Sequence, residues 1–462
     1  MIEHLRASAI DAGSMIRRNE VSSRELTEAM LARIDQANPT VNAVVELRAE
    51  LALEEAAVAD RRTEGHEPGP LHGVPITVKD SLDVTGMHTT WGNPAFRDHV
   101  ATADATVVQR LRRAGAIVVG KTNVHFMLGD FAQTANDLYG VTNNPWDPTR
   151  TPGGSSGGGA AALACGMTFL ELGSDLVGSV RIPATFCGVY GLKPSVGVMP
   201  LAGFQVPGAP AGPTELLHLC AIGPLARSAG DLRAALTVTA GPEGPAANAY
   251  SWRLAPPRHA RLRDFRVGVV LDHPNAPVSS DVAARLAATV DGLVEAGATV
   301  VEGWPPGVDA ARDFESFGFQ VGLFFAYQDA GSEPAVLAGF VEQEIRRMAT
   351  RAAWGRYFED VDVFLCPANF TAAFTHDVRP FEERMITTSA GEVSYASQPF
   401  WSSHASLSGL PAVVAPVGVT AAGLPVGVQV IGPLHEDDTA ITFAELLAEV
   451  IGGFEPPPGT SS

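Results

Sequence analysis

The amino-acid sequence predicts an α/β fold in which helices pack on a largely parallel sheet. The first indication is an alternation after residue 65, where the apolar runs VPITV and GAIVVGKTN enclose an amphipathic stretch, Thr106–Ala114. The second is that the same alternation of strand and helix patterns occurs again later in the chain, where FRVGVVLD and GATVVEG enclose the helical pattern of Asp281–Ala296. The composition of the 462 residues, 46% hydrophobic and 18% charged, does not distinguish fold classes but is typical of a soluble globular protein with a large core. Length alone would favour two or three domains.

The first 64 residues are predicted to form an N-terminal helical layer without chemistry of its own. Ser22 and Glu25 have the spacing of a capping box before LTEAMLARI, which predicts a helix from about 23 to 36. The stretch Val44–Arg62 is rich in alanine and glutamate and has no glycine or proline, so a second helix is predicted there.

Local patterns predict the remaining elements as well. IPATFCGVYGLKPS has the pattern of a strand and a turn, and VDVFLCP that of a buried strand. Residues 200–215 are too rich in proline and glycine for a regular element and are expected to form a mobile loop. Helices are expected in three further places: about 227–239, an aromatic-rich region ending near Tyr357, and Thr439–Ile451.

Charge and hydropathy exclude several classes of protein. A net charge of −19 leaves no basic surface of the kind that binds nucleic acid. The uncharged run Ala405–Leu434 is long enough to raise the question of a membrane span. Because it contains four prolines, two buried strands joined by the turn AAGLP are the favoured interpretation. The start, MIEHLRASAIDAG, lacks the pattern of a secretory signal, which favours a cytoplasmic location.

The cysteines do not suggest a disulfide framework or a metal site. Cys165, Cys187, Cys220 and Cys366 lie far apart, with no C-x-x-C pair and no histidine at metal-ligand spacing. They are expected to be reduced residues of the core.

The stretch most suggestive of chemistry is Pro152–Ser179, PGGSSGGGAAALACGMTFLELGSDLVGS. Glycine permits unusual φ angles and a close approach of the backbone, and serines held by such backbone suit acyl transfer. Ser179 follows Gly178 in a turn where the peptide N–H groups of residues 176–179 could converge on one oxyanion. An isolated glycine-serine turn usually has no role, but here Ser155 lies 24 residues earlier, in GGSSGGG.

A serine hydroxyl needs a base, and the candidate base is Lys79, which ends the strand-like run VPITV. The twelve histidines are scattered, and none lies close in sequence to Ser179. Burial lowers the pKa of a lysine toward the range in which the amine can accept a proton. A lysine at a strand end is more often a surface residue, so Lys79 alone is a weak signal.

A phosphate cradle is the competing interpretation of GGSSGGG. A P-loop needs a lysine after its last glycine, and none follows here. A dinucleotide site needs an acidic residue about 20 positions on, after a strand and a turn. Asp175 has that distance, but the strand before the glycines is missing, so nucleotide binding is not expected.

Six segments, in this order, resemble the amidase signature family: HGVPITVKD, DATVVQRLRRAGAIVVGKTN, GVTNNPWDPTRTPGGSSGGGAAALA, LGSDLVGSVRIPATFCGVYGLKPS, IGPLARSAGDL and GLPVGVQVIGP. The resemblance runs along almost the whole chain. It implies one large α/β/α domain with a mixed twisted sheet sandwiched between layers of helices. Residues 65–462 would form the catalytic core, with a linker-like excursion near 241–257. The resemblance therefore overrules the several domains suggested by length.

The resemblance also implies a Ser–cis-Ser–Lys triad. Lys79 matches the base, Ser155 matches the serine after a cis peptide bond that relays the proton, and Ser179 matches the nucleophile that forms the acyl-enzyme. The backbone N–H groups of four residues would form the oxyanion hole: Leu176, Val177, Gly178 and Ser179. Side chains, N–H groups and water suffice for this chemistry, so no metal or organic cofactor is implied.

Further residues match family positions outside the triad. Asp175 and Arg181 would support the loop of the nucleophile. The segment after the TN motif lines the acyl pocket in relatives, which would put Met127, Leu128 and Phe131 near the substrate, although plain core packing fits them equally well. Other candidates for lining a pocket, each equally explained by packing, are residues 200–215, Phe317, Phe319, Phe324, Phe325 and Trp401.

Three positions depart from the usual family pattern. Val177 stands where glycine or alanine is usual, and a branched side chain there would stiffen the loop and could narrow or reshape the acyl side of the pocket. Ser174 stands where threonine is common, and Ser81 where asparagine is common. Because none removes a triad member, these changes are expected to affect specificity more than activity.

The function implied by the resemblance is that of a serine amidohydrolase acting on a small-molecule amide, an aryl amide or anilide, or a carbamate (urethane). An alternative is the glutaminase component of an aspartyl/glutamyl-tRNA amidotransferase, which works with partner subunits. Residues 197–228 resemble stand-alone amidases more than that component. A non-catalytic relative is disfavoured because all three triad positions are present. A hydrophobic or aromatic substrate group is favoured, and the N-terminal helices are a plausible homodimer surface.

Overall fold

The structure, a computed structural model, describes residues 4–61, 69–208, 219–328 and 337–459. Within these ranges the helices are α1 Ala9–Arg17, α2 Ser23–Val41, α3 Ala49–Arg61, α4 Thr106–Arg113, α5 Gly157–Ala164, α6 Arg181–Cys187, α7 Ala229–Thr239, α8 Ser280–Glu295, α9 Ala310–Gln328, α10 Leu337–Tyr357, α11 Phe400–Ser408 and α12 Asp437–Ile451. The strands are β1 Val44–Leu47, β2 Pro75–Lys79, β3 Ile117–Thr122, β4 Ala135–Asn136, β5 Gly140–Val141, β6 Leu170–Asp175, β7 Tyr190–Lys193, β8 Ala221–Ala226, β9 Arg266–Val269, β10 Thr299–Glu302, β11 Val363–Pro367, β12 Met385–Thr388, β13 Gly391–Ser394, β14 Ala412–Val419 and β15 Pro425–Ile431.

Eleven of these strands form one sheet, in the order β1-β3-β2-β6-β8-β7-β14-β15-β11-β9-β10. Strands β3, β2 and β6 are parallel, as are β11, β9 and β10, and the strands between these two groups pair antiparallel. The sheet is therefore mixed, as the family resemblance implied. The largely parallel sheet expected from the alternation alone is wrong, because the centre is built from antiparallel strands.

Helices flank this sheet and bury its apolar strands. Helices α5 and α6 contact central strands such as β6, β8, β14 and β15. Helix α12 contacts α7 and α8, and all three also contact strands of the sheet. The inner strands β2, β3, β6, β7, β8, β11 and β15 are buried along their whole length. The fold is an α/β sheet flanked by helices, with its core on both faces of the central strands.

Two elements differ from the sequence expectation. The helix expected over Val44–Arg62 is wrong at its start, where Val44–Leu47 forms the edge strand β1 and pairs with β3 before α3 begins. The strand expected at IPATFC is also wrong, since Arg181–Cys187 is a helix and only Tyr190–Lys193 is a strand. Pro183 lies in the first turn of that helix, where a missing N–H costs no hydrogen bond.

Other expectations are confirmed. The capping box is present, because Ser22 Oγ accepts from the Glu25 N–H at 3.1 Å and Glu25 Oε2 accepts from the Ser22 N–H at 2.9 Å. The run near AAGLP is an antiparallel hairpin of β14 and β15. Among the described residues, no helix combines the length and the apolarity that crossing a membrane requires.

Candidate active site

The parallel strands β2 and β6 end at the same edge of the sheet, and the candidate residues collect there. Lys79 is the last residue of β2, and its side chain is fully buried. Its Nζ atom donates to three hydroxyl oxygens: Ser155 Oγ at 2.8 Å, Ser156 Oγ at 2.8 Å and Ser174 Oγ at 3.0 Å. The structure thus brings Lys79 directly onto Ser155, and the three hydroxyls fix the direction of the amine.

Two of these partners were not given a role by the sequence. Ser156 is the second serine of GGSSGGG, and Ser174 was noted only as a departure from threonine. Both hydroxyls are buried and hold the lysine in place. A repeated serine beside a catalytic candidate is the signal that could have pointed to Ser156.

The surroundings of Lys79 shift its proton affinity. Burial lowers the pKa of Lys79 to about 7, although nearby Cys220, Asp175 and Glu171 act to raise it. Near neutral pH an amine with this pKa is present in both forms, and its neutral form can accept a proton. Geometry and proton affinity together fit a general base.

A second buried titratable group, Glu171, lies on β6 beside β2. Its carboxylate accepts hydrogen bonds from the hydroxyls of Thr77 and of Thr122, the latter at 2.7 Å. Burial raises the pKa of Glu171 to about 7, although these hydroxyls and the nearby Lys79 act to lower it. Glu171 was not predicted from the sequence, where the signal that points to it is a lone glutamate within the apolar run FLEL.

The loop that carries Ser155 needs glycine before it. The peptide bond between Gly154 and Ser155 is cis, as the resemblance implied. The Gly154 N–H donates to the Phe131 carbonyl at 3.1 Å, and a Cβ on Gly154 would lie 1.9 Å from the carbonyl oxygen of Gln133. Any larger residue at 154 would collide with this backbone, so the loop lies directly against residues 130–133.

Asp175 and Arg181 hold the loop around Ser179. The carboxylate of Asp175 accepts from the N–H groups of Gly178 at 2.9 Å and Val180 at 3.1 Å, and from Arg181 Nε at 2.9 Å and Nη2 at 2.8 Å. Burial alone would raise the pKa of Asp175, but the Arg181 guanidinium outweighs it and lowers the pKa to about 2. The carboxylate stays ionised and fixes the turn, and the supporting role expected of both residues in catalysis stays a prediction.

The oxyanion hole expected from the sequence is altered at one position. The Gly178 N–H already donates to Asp175, so it is not free to meet an oxyanion. Within the described part of the chain, the N–H groups of Leu176, Val177 and Ser179 have no hydrogen-bond acceptor. Gly178 has a φ of 109°, and a Cβ there would lie 2.9 Å from Ile182 Cδ1. Glycine is therefore needed for the turn, and three N–H groups remain available.

An apolar cavity of about 340 Å³ opens over this loop. Ser155, Ser174 and Ser179 supply hydroxyls to its wall, and no described residue in the wall carries a charge. The remaining lining residues are apolar: Met127, Leu128, Gly129, Phe131, Leu176, Val177, Phe204, Cys220, Phe314, Phe317, Gly318, Val321, Phe324, Phe381, Ala396 and Pro399.

The candidate pocket residues divide into two groups. Met127, Leu128 and Phe131 line the cavity, as do Phe317 and Phe324. Those that do not line it are Phe319, which faces Gly339 of α10, and Trp401, which stacks on Trp304. The side chain of Phe325 and residues 209–215 of the expected loop lie outside the described residues.

Ser155 and Ser179 share the cavity without a direct bond between their hydroxyls. The Ser156 N–H donates to the Ser179 carbonyl at 3.2 Å, which joins the two loops. No hydrogen bond links the two hydroxyls in the portion of the chain that the structure describes. That portion also holds no cluster of three or more histidine, cysteine or acidic side chains that could bind a metal ion.

Comparison with known proteins places this geometry in context. Residues 25–329 and 338–441 match the family model described as Amidase. The chain is 33% identical to the acylamidase of Rhodococcus erythropolis, over 94% of this chain and 93% of that one. It is 34% identical to the indoleacetamide hydrolase of Bradyrhizobium diazoefficiens, over 96% and 86%, and 33% identical to a glutamyl-tRNA(Gln) amidotransferase component of Thermosynechococcus vestitus, over 92% and 94%. A solved bacterial aryl acylamidase of the amidase signature enzymes has the same fold, with a TM-score of 0.81 at 23% identity over 96% of both chains.

Proposed function

The chain belongs to the amidase signature family of amide hydrolases, and we propose that it cleaves small uncharged amides, anilides or carbamates through an acyl-enzyme on Ser179. The hydrogen bond of 2.8 Å from the buried Lys79 amine to Ser155 carries this proposal. This hydrogen bond supports a path along which a proton leaves Ser179, which lines the cavity, and reaches Lys79, a base of suitable pKa.

In the proposed reaction, neutral Lys79 takes the proton of Ser155 as Ser155 takes that of Ser179. The Ser179 oxygen then bonds to the substrate carbonyl carbon, and the carbonyl oxygen becomes an oxyanion. The N–H groups of Leu176, Val177 and Ser179 would stabilise this charge. The tetrahedral intermediate releases the nitrogen group, which receives a proton through Ser155. Water then attacks the acyl-enzyme by the same path and frees the acid.

The cavity supports an uncharged, apolar group on the substrate. Its volume lies at the small end of the range for ligand pockets, and its described wall is apolar except for hydroxyls. A free amino acid such as glutamine carries an ammonium and a carboxylate, and burying either without a charged partner is costly. The amidotransferase alternative rests on its relative at 33% identity, but this wall disfavours it.

The test is hydrolysis of a panel containing glutamine, short aliphatic amides, aryl anilides and aryl carbamates. We expect turnover of anilides or carbamates and a loss of about 10⁴-fold or more in Ser179→Ala. An acyl adduct on Ser179, detected by mass spectrometry, would identify the nucleophile. Ser251→Ala, at an exposed serine, is the control and should match the wild type.

Three other outcomes would change the assignment. Full activity in Ser179→Ala would refute the nucleophile. Turnover of glutamine alone would favour the amidotransferase alternative. No turnover and no reaction with a fluorophosphonate would favour a relative that has lost catalysis.

A further inference from the structure

A buried ion pair lies beside the apolar cavity, outside the candidate triad. Asp130 is 1% exposed, and its Oδ2 accepts from Arg384 Nη1 at 2.6 Å. Its Oδ1 accepts from the Tyr395 hydroxyl at 2.6 Å and from the Ala132 N–H at 2.9 Å. Arg384 precedes the β12–β13 hairpin and Tyr395 follows it, so the carboxylate joins both ends of that hairpin to the segment 130–133.

The same residues hold two aromatic walls of the cavity. Phe131 stacks on Tyr395 at 5.3 Å between centroids, and Phe381 meets Tyr395 edge-on at 5.2 Å. The Arg384 guanidinium lies 5.8 Å from the Phe381 ring and 5.3 Å from the Tyr395 ring. Phe131 and Phe381 both line the cavity, at 5.9 Å from each other. Arg384 therefore touches one wall directly and reaches the other through Asp130 and Tyr395.

This arrangement also reaches the loop of Ser155. The Phe131 carbonyl accepts from the Gly154 N–H, one residue before that serine. A Cβ on Gly154 would lie 2.9 Å from the Asp130 carbonyl oxygen, so the two backbones are in close contact. A displacement of segment 130–133 would be transmitted to the serine through these contacts.

We propose that Arg384 is a positioning residue that sets the size of the acyl group that the enzyme accepts. It does so by fixing the rings of Phe131 and Phe381 relative to each other through Asp130. The proposal rests on the proposed function of the same cavity. A buried ion pair adds little net stability over an apolar replacement, because desolvation offsets the attraction. Charge-assisted bonds do impose a defined geometry, which is what a shaped wall requires.

The experiment compares Arg384→Met and Arg384→Lys on 4-nitroanilides of acetic, butyric and phenylacetic acid. We expect Arg384→Met to lose roughly tenfold more kcat/KM on the phenylacetyl substrate than on the acetyl one, mainly through KM, because the larger group needs both walls. Arg384→Lys keeps the charge and should recover part of the loss. Arg261→Met removes a surface ion pair with Asp264, neither of which lines the cavity, and should behave as the wild type.

A uniform loss across the three substrates, or no loss, would overturn the proposal, since a merely structural role gives no dependence on acyl size. Should Arg384→Met fail to fold, Tyr395→Phe keeps the ring packing and removes one bond to Asp130, and should shift the same ratio in the same direction. The rate of Ser179 labelling by fluorophosphonates with a methyl or a decyl group gives the ratio without amide turnover. A wild type that is inert to aliphatic amides, anilides and carbamates therefore counts against the proposed function, while the labelling ratio still decides the role of Arg384.

Discussion

The proton affinity of one buried amine is expected to set the pH dependence of catalysis. Lys79 must be neutral to accept a proton, and its pKa is about 7. Below that pH, kcat/KM should fall about tenfold per unit, and above it should level off. Glu171 is one of the groups that raise the Lys79 pKa. When its carboxylate is ionised, the fall in kcat/KM therefore begins at a higher pH than it would without that charge.

Glu171→Gln removes that negative charge and is therefore expected to move the acid limb to lower pH. Normalised profiles of kcat/KM between pH 5 and 9 measure the shift, whatever the absolute rate of the variant. Glu50→Gln, at an exposed glutamate, should leave the profile in place. Because the pKa of Glu171 is itself about 7, its charge acts mainly on the upper part of this limb. A limb that stayed fixed would show that Glu171 carries no charge there, and one that moved upward would refute the electrostatic link between the two groups.

Single residues could be singled out from sequence where their segments resemble a known family. Lys79, Ser155 and Ser179 were chosen mainly on that ground; the structure brings Lys79 onto Ser155, and the catalytic role of each stays a prediction. The use of the Gly178 N–H by Asp175 could not be predicted, because it depends on the path of one turn. The contact of Ser174 with Lys79 could not be predicted either, because it depends on which face of β6 the Ser174 side chain occupies.

At the scale of elements, helix α5 owes its position to glycines rather than to propensity. A Cβ on Gly158 would lie 2.5 Å from both the N and O atoms of Asn123, and one on Gly159 would lie 2.4 Å from Glu171 Cγ. Backbone atoms cannot move aside as a flexible side chain can. The helix therefore packs closely enough on β3 and β6 to hold the serines that precede it.

Gly158→Ala is accordingly expected to destabilise the fold by about 1–3 kcal/mol and to lower kcat/KM further than stability alone explains. The helix would have to shift, and Ser155 and Ser156 would shift with it. Urea unfolding and kinetics measure the two effects. Gly355→Ala is the matched control, since nothing lies within 4 Å of its new Cβ, and it should gain up to about 1 kcal/mol. Wild-type activity in Gly158→Ala would mean that α5 does not position the serines.

Elements were predictable where a local signal matched the final packing. The capping box at Ser22 and the hairpin around AAGLP are signals of this kind. Val44–Leu47 was not predictable, because its alanine- and glutamate-rich surroundings favour a helix and only pairing with β3 makes it a strand. Tertiary contacts outweighed local preference there.

At the scale of the whole molecule, one sheet joins the parts of the chain on both sides of residues 241–257. Strands β6, β7 and β8 come before that segment, and β14, which pairs with β7, comes after it. Helix α12 contacts both α7 and α8, which lie on opposite sides of the segment in sequence. The sequence pattern could show the alternation of elements but not this strand order, because order depends on long-range pairing.

A cut within 241–257 is therefore expected to leave the two pieces associated. A specific protease site inserted in the turn Gly244–Asn248, which contains no buried residue, makes the cut selective. Because β7 and β14 would still share hydrogen bonds and buried side chains, the nicked protein should elute at the volume of the intact one, keep its activity, and separate only in denaturant. The unmodified chain, treated with the same protease, controls for cleavage elsewhere. Pieces that separate in native buffer and remain folded would show two independent domains instead of one continuous core.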